Sequence, residues 1–194
     1  MRLVMASANP NKAAEIAELL TDHDIEPRPP GLGDILESEE TLEGNARLKA
    51  ATVCNNANVA AVADDTGLEV DALGGLPGVR SARYAGEDAT DAANLSKLLQ
   101  QMEHVEEVAR TARFRTVAIV VLPGGSEFLS HGVVEGSICT TPRGEGGFGY
   151  DSVFVPHDGD GRTFAQMDAD EKHAISHRGR AFRSLANSCA NCHQ

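Results

Sequence analysis

VAAVADDTG, residues 59–67, is the stretch that decides the fold reading. Val59 to Ala63 are apolar at odd and even positions alike, which is what a strand covered on both faces requires. The apolar run stops at Asp64 and Asp65, so the strand is expected to end there. Open α/β sheets bind ligands beyond the carboxyl ends of their strands. Side chains alternate across a strand, so the two carboxylates are expected to face opposite sides, with one of them available to a given metal.

On the N-terminal side, Ala46, Ala50 and Val53 form the stripe of a helix expected over Thr41–Asn56, with Asn45 and Lys49 beside it at i, i+4 spacing. The acidic, Pro-rich stretch Pro27–Glu40 has no periodicity and reads as a loop. RLVMAS (2–7) reads as a short buried strand, Asn9–Asn11 as a turn, and Ala13, Ile16, Ala17 and Leu20 as one face of a helix. On the C-terminal side, Gly74, Gly75, Pro77 and Gly78 make a tight loop, and residues 91–102 a short helix. ARFRTVAIVVLP (112–123) alternates and then becomes wholly apolar; Gly124-Gly125 returns it into FLSHGVVEGSI (128–138) as an antiparallel hairpin. A Gly-rich segment (144–149), a strand (Ser152–Val155) and a closing helix from about Ser176 complete the chain. Strands alternating with helices early and a hairpin later give an α/β protein with a mixed sheet. At 194 residues it is expected to be one domain over 1–194.

The formal charge of −12 argues against nucleic acid as a partner, because that affinity rests on basic residues. A polyanionic small molecule would need a divalent metal and local cations. No segment approaches the about eighteen apolar residues of a membrane helix, and MRLVMASANPNK turns polar too soon for a signal peptide, so a cytoplasmic protein with no membrane association is expected. Among 17 cationic residues only Lys12, Lys49, Lys97 and Lys172 are Lys. Three of these four fall in the segments that could carry chemistry. Cys54 and Cys139 stand alone, while Cys189 and Cys192 form one CxxC before His193, short of the second ligand pair a zinc site needs.

Five segments are candidates. Ser7-Ala8-Asn9-Pro10-Asn11-Lys12 joins a strand to a helix N-terminus, a recurrent phosphate site, although an Asn there also serves as a plain helix cap. Asp64-Asp65-Thr66-Gly67 offers oxygen ligands suited to Mg²⁺. Glu37, Glu39 and Glu40 precede the helix that carries Lys49 and could supply a second ligand. In Gly144–Asp151, glycines permit close approach to a ligand and Phe148 or Tyr150 offers a flat face to a base. Lys172, followed by Ser176-His177-Arg178, places cations in the first turn of the last helix, against its dipole.

SANPNK (7–12), TLEGNARLKA (41–50), ADDTGLEVDALGGLPGVRSARYAGEDAT (63–90), GGFGYDSVF (146–154) and EKHAISHRGRAF (171–182) stand in order along the chain. On these motifs it resembles the inosine triphosphate pyrophosphatase family, the bacterial dITP/XTP pyrophosphatases, along nearly its whole length. The resemblance implies an elongated two-lobed α/β fold with a long central mixed sheet and a nucleotide cleft between lobes, and usually a homodimer. It implies Mg²⁺-dependent hydrolysis of ITP, dITP and XTP to monophosphate and pyrophosphate. Ser7, Ala8, Asn9, Pro10, Asn11 and Lys12 would hold the triphosphate, with Lys49 and Lys172 as further contacts. Asp65 would be the general base and a metal ligand, with Glu37 favoured over Glu40 as the second ligand, and Thr66 would stand where a Ser touches substrate. Phe148, Gly149, Tyr150 and Asp151 would line the base pocket, and His177 and Arg178 would read the base. Ala8 departs from a common Gly, and the CxxC tail lies outside the family pattern. A modified pyrimidine triphosphate as substrate, or a nucleotide sensor without turnover, are the alternative readings.

Overall fold

The structure is a computed structural model that describes residues 1–191, with side chains described to residue 190. Among the described residues, seven strands form one sheet: β1 (Arg2–Met5), β2 (Asp24–Glu26), β3 (Ala61–Val70), β4 (Pro77–Gly78), β5 (Thr111–Val121), β6 (Glu127–Ile138) and β7 (Phe154–Pro156). Their order is β2-β1-β3-β5-β6-β7, with β4 paired to β3 off this path. β1 runs parallel to β2 and β3, while β4 is antiparallel to β3 and β7 to β6, so the sheet is mixed as its sequence pattern implies. The helices are α1 (Pro10–Leu19), α2 (Leu42–Ala57), α3 (Asp91–Gln101), α4 (Ala169–Ile175) and α5 (His177–Asn191).

The chain divides into two compact units. The first comprises Met1–Asp65, Thr116–Gly132 and the stretch from Arg178 on; the second comprises Thr66–Arg115 and Val133–His177. Neither is a contiguous piece of chain, and β3, β5 and β6 each contribute residues to both.

In the first unit the period of two sorts the strands onto two cores. Leu3, Met5, Val62, Ala118 and Val120 meet Ile16 and Leu20 of the α1 segment and Ala181, Phe182 and Leu185 of α5. Val4, Ala61, Ala63, Val117, Ile119 and Val121 meet Ala46, Ala50, Val53 and Cys54 of α2. The apolar residues at both odd and even positions of VAAVA are thus explained. Each fully buried Leu or Ile contributes about 1.5–3 kcal/mol. The second unit has one core, built on Leu68, Val70, Ala112, Phe114, Val134, Ile138 and Phe154. Its strands alternate buried with exposed positions, and Arg113 on the polar face pairs with Glu69, Asp71 and Glu135.

Three local expectations change. β3 does not end at Asp64 and Asp65 but continues to Val70, so both carboxylates are mid-strand and buried. β2 and α4 were not anticipated, because three and seven residues are too few to show a period. The expected strand over Ser152–Val155 forms at Phe154–Pro156, after a turn in which Val153 N–H donates to Tyr150 O. No described helix is long and apolar enough to cross a membrane. Cys189 is a buried free thiol; Cys192 and His193 of the CxxC segment lie outside the described residues.

Candidate active site

In the first unit, Asp64 and Asp65 leave β3 on opposite faces, each toward its own cations. Asp65 lies on the α2 face. Lys49, on the buried side of α2, donates from Nζ to Asp65 Oδ1 at 2.8 Å and to Glu37 Oε1 at 2.9 Å. Glu37 is brought there by the turn ahead of α2. Thr41 caps the helix, its Oγ1 accepting from Gly44 N–H at 3.0 Å. Asn45, fully buried, accepts from Glu39 N–H at 3.0 Å and donates to Glu39 O at 3.3 Å. The Glu39 side chain packs so closely on Gly44 that a Cβ there would stand 2.7 Å from Glu39 Cβ. This is what the Thr-Leu-Glu-Gly-Asn segment does: it folds the acidic loop back so that Glu37 meets Lys49. Glu40 is exposed.

Burial pulls the Lys49 ammonium down, but Asp65, Asp64 and Glu37 outweigh it and leave it above its ordinary value. Burial pushes the Asp65 carboxyl up, against the opposing pull of Lys49 and Lys12. Asp65 Oδ2 is buried and has no hydrogen-bond partner among the described residues. Among those residues, no group of three or more His, Cys, Asp or Glu side chains is arranged to hold a metal. The residues present nonetheless fit a Mg²⁺ ion. That ion takes one or two protein carboxylates and completes its shell with water and substrate phosphate. Asp65 Oδ2 and the Glu37 carboxylate are oxygen donors of that kind, held by one lysine.

On the opposite face of β3, Asp64 Oδ2 accepts from Arg178 Nε at 3.3 Å and Nη2 at 3.1 Å, and Lys12 Nζ lies 3.7 Å from it. Arg178 also donates from Nη1 to Glu15. Lys12 sits in the first turn of α1, where burial lowers its ammonium against the support of Asp64. Asn9 is the N-cap: its Oδ1 accepts from Asn11 N–H at 2.9 Å and Lys12 N–H at 3.2 Å. Ser7 Oγ accepts from Asn9 N–H at 3.2 Å, while Ala8, Asn9, Pro10 and Asn11 are exposed. The cap and the phosphate-loop readings therefore fall on the same residues.

The second unit holds the other candidates. Asp151, buried, accepts from Lys172 Nζ at 2.7 Å and from Phe148 N–H at 2.9 Å through the same oxygen. Lys172 Nζ also lies 5.0 Å from the centre of the Phe148 ring. Gly147, at φ +68°, is required because a Cβ there would stand 2.2 Å from Asp151 Oδ2. Gly144, at φ +85°, likewise lies against the Ala165 carbonyl. These two glycines make room for the protein itself. Tyr150 is a core residue whose hydroxyl donates to Ser81 O at 2.8 Å, so Phe148 and not Tyr150 is the aromatic face left half-open. Gly149 N–H donates to Asp91 at 2.9 Å. His177 is buried with its ring stacked on Phe114, centroids 4.5 Å apart and planes 16° apart, and Thr66 is half-buried on β3.

Residues 3–188 match the sequence model of the Ham1 family. The chain belongs to the Ham1 family. Among Ham1 relatives, the dITP/XTP pyrophosphatase of Elusimicrobium minutum is 44% identical over 198 residues, covering 96% of this chain and 98% of that protein. The dITP/XTP pyrophosphatase of Bacillus subtilis is 43% identical, covering 94% of each. A Ham1 protein from Coxiella burnetii has the same fold, with TM-score 0.88, 39% identity and coverage of 98% of this chain and 99% of that one. The nucleoside-triphosphatase, dITP/XTP pyrophosphatase, of Mycobacterium abscessus superposes with TM-score 0.76 and 40% identity, covering 95% and 98%. The motif resemblance is borne out.

Two residues that pair with these candidates were given no role of their own from sequence: Asp64, although it stood in a candidate segment, and Glu15. The signal for Asp64 was present, since a carboxylate facing away from Asp65 on a doubly covered strand must find a cation of its own. Glu15 carries no comparable signal, because a Glu on an amphipathic helix is ordinary.

Proposed function

We propose that this chain hydrolyses the non-standard purine nucleoside triphosphates ITP, dITP and XTP to their monophosphates and pyrophosphate. The observation that carries the reading is 44% and 43% identity, over nearly the whole chain, to proteins named dITP/XTP pyrophosphatase. In the reaction, water oxygen forms a bond to the α-phosphorus, the bond to the α–β bridging oxygen breaks, and pyrophosphate departs. The water's proton goes to a base.

Asp65 suits that role. Its Oδ1 is anchored by Lys49, its Oδ2 meets no protein donor among the described residues, and burial raises its affinity for a proton. Asp65 and Glu37 would hold Mg²⁺, which when bound neutralises phosphate charge and acidifies water. Lys12, Lys49 and Lys172 take up charge on the phosphate oxygens as it shifts toward the leaving group. Ser7, Ala8, Asn9, Pro10 and Asn11 present the phosphate-binding turn. Phe148, with the Lys172 ammonium near its ring, offers a stacking face to the base, and Gly149 and Asp151 hold that segment. Thr66 is assigned to a substrate contact, and His177 and Arg178 to reading the base. A donor aimed at C6 favours the oxygen of hypoxanthine or xanthine over the amino group of adenine, since an unpaired buried donor costs about 1–3 kcal/mol. A cytoplasmic homodimer acting on free nucleotides is the setting that this reading implies.

The test offers ITP, XTP, dITP, GTP and ATP with Mg²⁺ and identifies the phosphorus product. Inosine monophosphate with pyrophosphate supports the reading. Orthophosphate, or equal turnover of ATP and ITP, overturns it.

A further inference from the structure

We propose that Asp64 is a positioning residue of this site: its carboxylate draws Lys12 of α1 and Arg178 of α5 together, while Glu15 holds the guanidinium from its other side. The inference rests on the proposed reading, because it takes Lys12 and Arg178 as substrate contacts.

Asp64 has a fully buried side chain, and Arg178 is only 2% exposed. Position 64 is on the face of β3 that carries Val62 and the α1–α5 core, where an apolar side chain would satisfy the sheet. Burying an ion pair there is rarely better for stability than an apolar replacement. The carboxylate's effect is therefore on where it puts its cations. Arg178 meets Asp64 Oδ2 through Nε and Nη2 and Glu15 through Nη1. Contacts on both sides of a planar guanidinium fix its plane as well as its place. Lys12, 3.7 Å from the same carboxylate, is a second cation close to Arg178. The two would repel without an anion between them. Glu15 lies three residues after Lys12 on α1, so one helix supplies both a cation held by Asp64 and a carboxylate that holds Arg178. β3, α1 and α5 are thereby tied at a single charged point, one residue from Asp65.

The test is steady-state hydrolysis of ITP with Mg²⁺ by the full-length protein. The variants are Asp64→Asn, Glu15→Gln, Arg178→Lys and the two double variants with Arg178→Lys, each with a thermal melt. For Asp64→Asn, KM should rise by about tenfold or more, the scale of coupling between close buried charges, with a smaller fall in kcat. Glu15→Gln should raise KM less. Each double variant should fall short of the product of its single effects, because a lysine has no guanidinium plane left to orient. A lowered melting temperature with wild-type KM and kcat makes Asp64 structural only and overturns the proposal, as do multiplicative double variants. Should Asp64→Asn fail to fold, Glu15→Gln and its double variant carry the test on the same terms. Wild-type kinetics in Arg178→Lys would remove Arg178 from the substrate and the proposal with it. An impaired Arg178→Lys beside unaffected Asp64→Asn and Glu15→Gln removes the positioning role and leaves the nucleotide reading standing.

Discussion

Lys49 stands 2.8 Å from Asp65 Oδ1, and both are buried, at 8% and 4% exposure. The same ammonium holds Glu37, so its loss takes a partner from two carboxylates at once, one of them the buried Asp65. Lys49→Met should therefore destabilise the protein by about 3–5 kcal/mol, the range for breaking a buried pair from one side. Urea denaturation measures it, and a change below 1 kcal/mol would show that solvent already screens the pair.

Asp65→Asn should fold and lose nearly all turnover of ITP, measured by pyrophosphate release. A pH titration of the metal-free protein adds a second check. The base form of Asp65 is the charged one, and burial raises its proton affinity, so its carboxyl, followed by NMR without Mg²⁺, should titrate at a midpoint above the ordinary Asp value of about 3.9. Lys49 pulls that carboxyl down, so in Lys49→Met the midpoint should lie at still higher pH. A carboxyl raised in the folded state binds its proton more readily folded than unfolded, so acidification through this group alone stabilises.

Chelation by EDTA should abolish hydrolysis, and Mg²⁺ should restore it. In Glu37→Gln, the Mg²⁺ concentration for half-maximal activity should rise by about tenfold, while Glu40→Gln leaves it unchanged, because Glu40 is exposed on the loop. Metal titration of activity distinguishes the two.

Gly147→Ala combines a positive φ with a Cβ placed 2.2 Å from Asp151 Oδ2. The carboxylate must move, and with it the bonds to Lys172 and Phe148 N–H. A loss of about 2 kcal/mol or more in stability is expected, together with a raised KM for ITP. Retention of the wild-type KM would place the Lys172–Asp151 pair outside substrate binding.

Arg110 is buried and donates to the carbonyls of Ile138, Met102, Val105 and Cys139. Lys cannot reproduce that fork, so Arg110→Lys should lower stability by about 1–3 kcal/mol through unpaired carbonyls. Thermal melting reads the loss, and KM for ITP should not change.

The parts of the fold that could be read from the chain are those whose signal is local. Val59–Ala63 announces a doubly covered strand, the 46/50/53 stripe a helix against it, and Thr111–Val121 a strand half open and half enclosed. The extent of β3 was not legible. Two adjacent aspartates read as a polar terminus, because the cations that let them stay inside a sheet sit at positions 12, 49 and 178. Buried charge is made tolerable by partners remote in sequence, and no window around Asp64 contains them. The same holds for Asp151, whose cation is Lys172. The glycines of 144–149 were visible, but their purpose was not: a contact with Ala165 or Asp151 exists only once the chain has folded back.

The last described helix supplies Ala181, Phe182 and Leu185 to the core that also holds Leu3, Met5 and Val62, and it brings Arg178 to Asp64. During synthesis on the ribosome, β1, α1, α2 and β3 emerge long before that helix does. Until it arrives, the face of the nascent sheet that α1 covers lacks Ala181, Phe182 and Leu185, and Asp64 lacks the guanidinium that offsets its burial. The first unit therefore matures late, and a nascent chain arrested before residue 178 should be a ready client for chaperones and proteases.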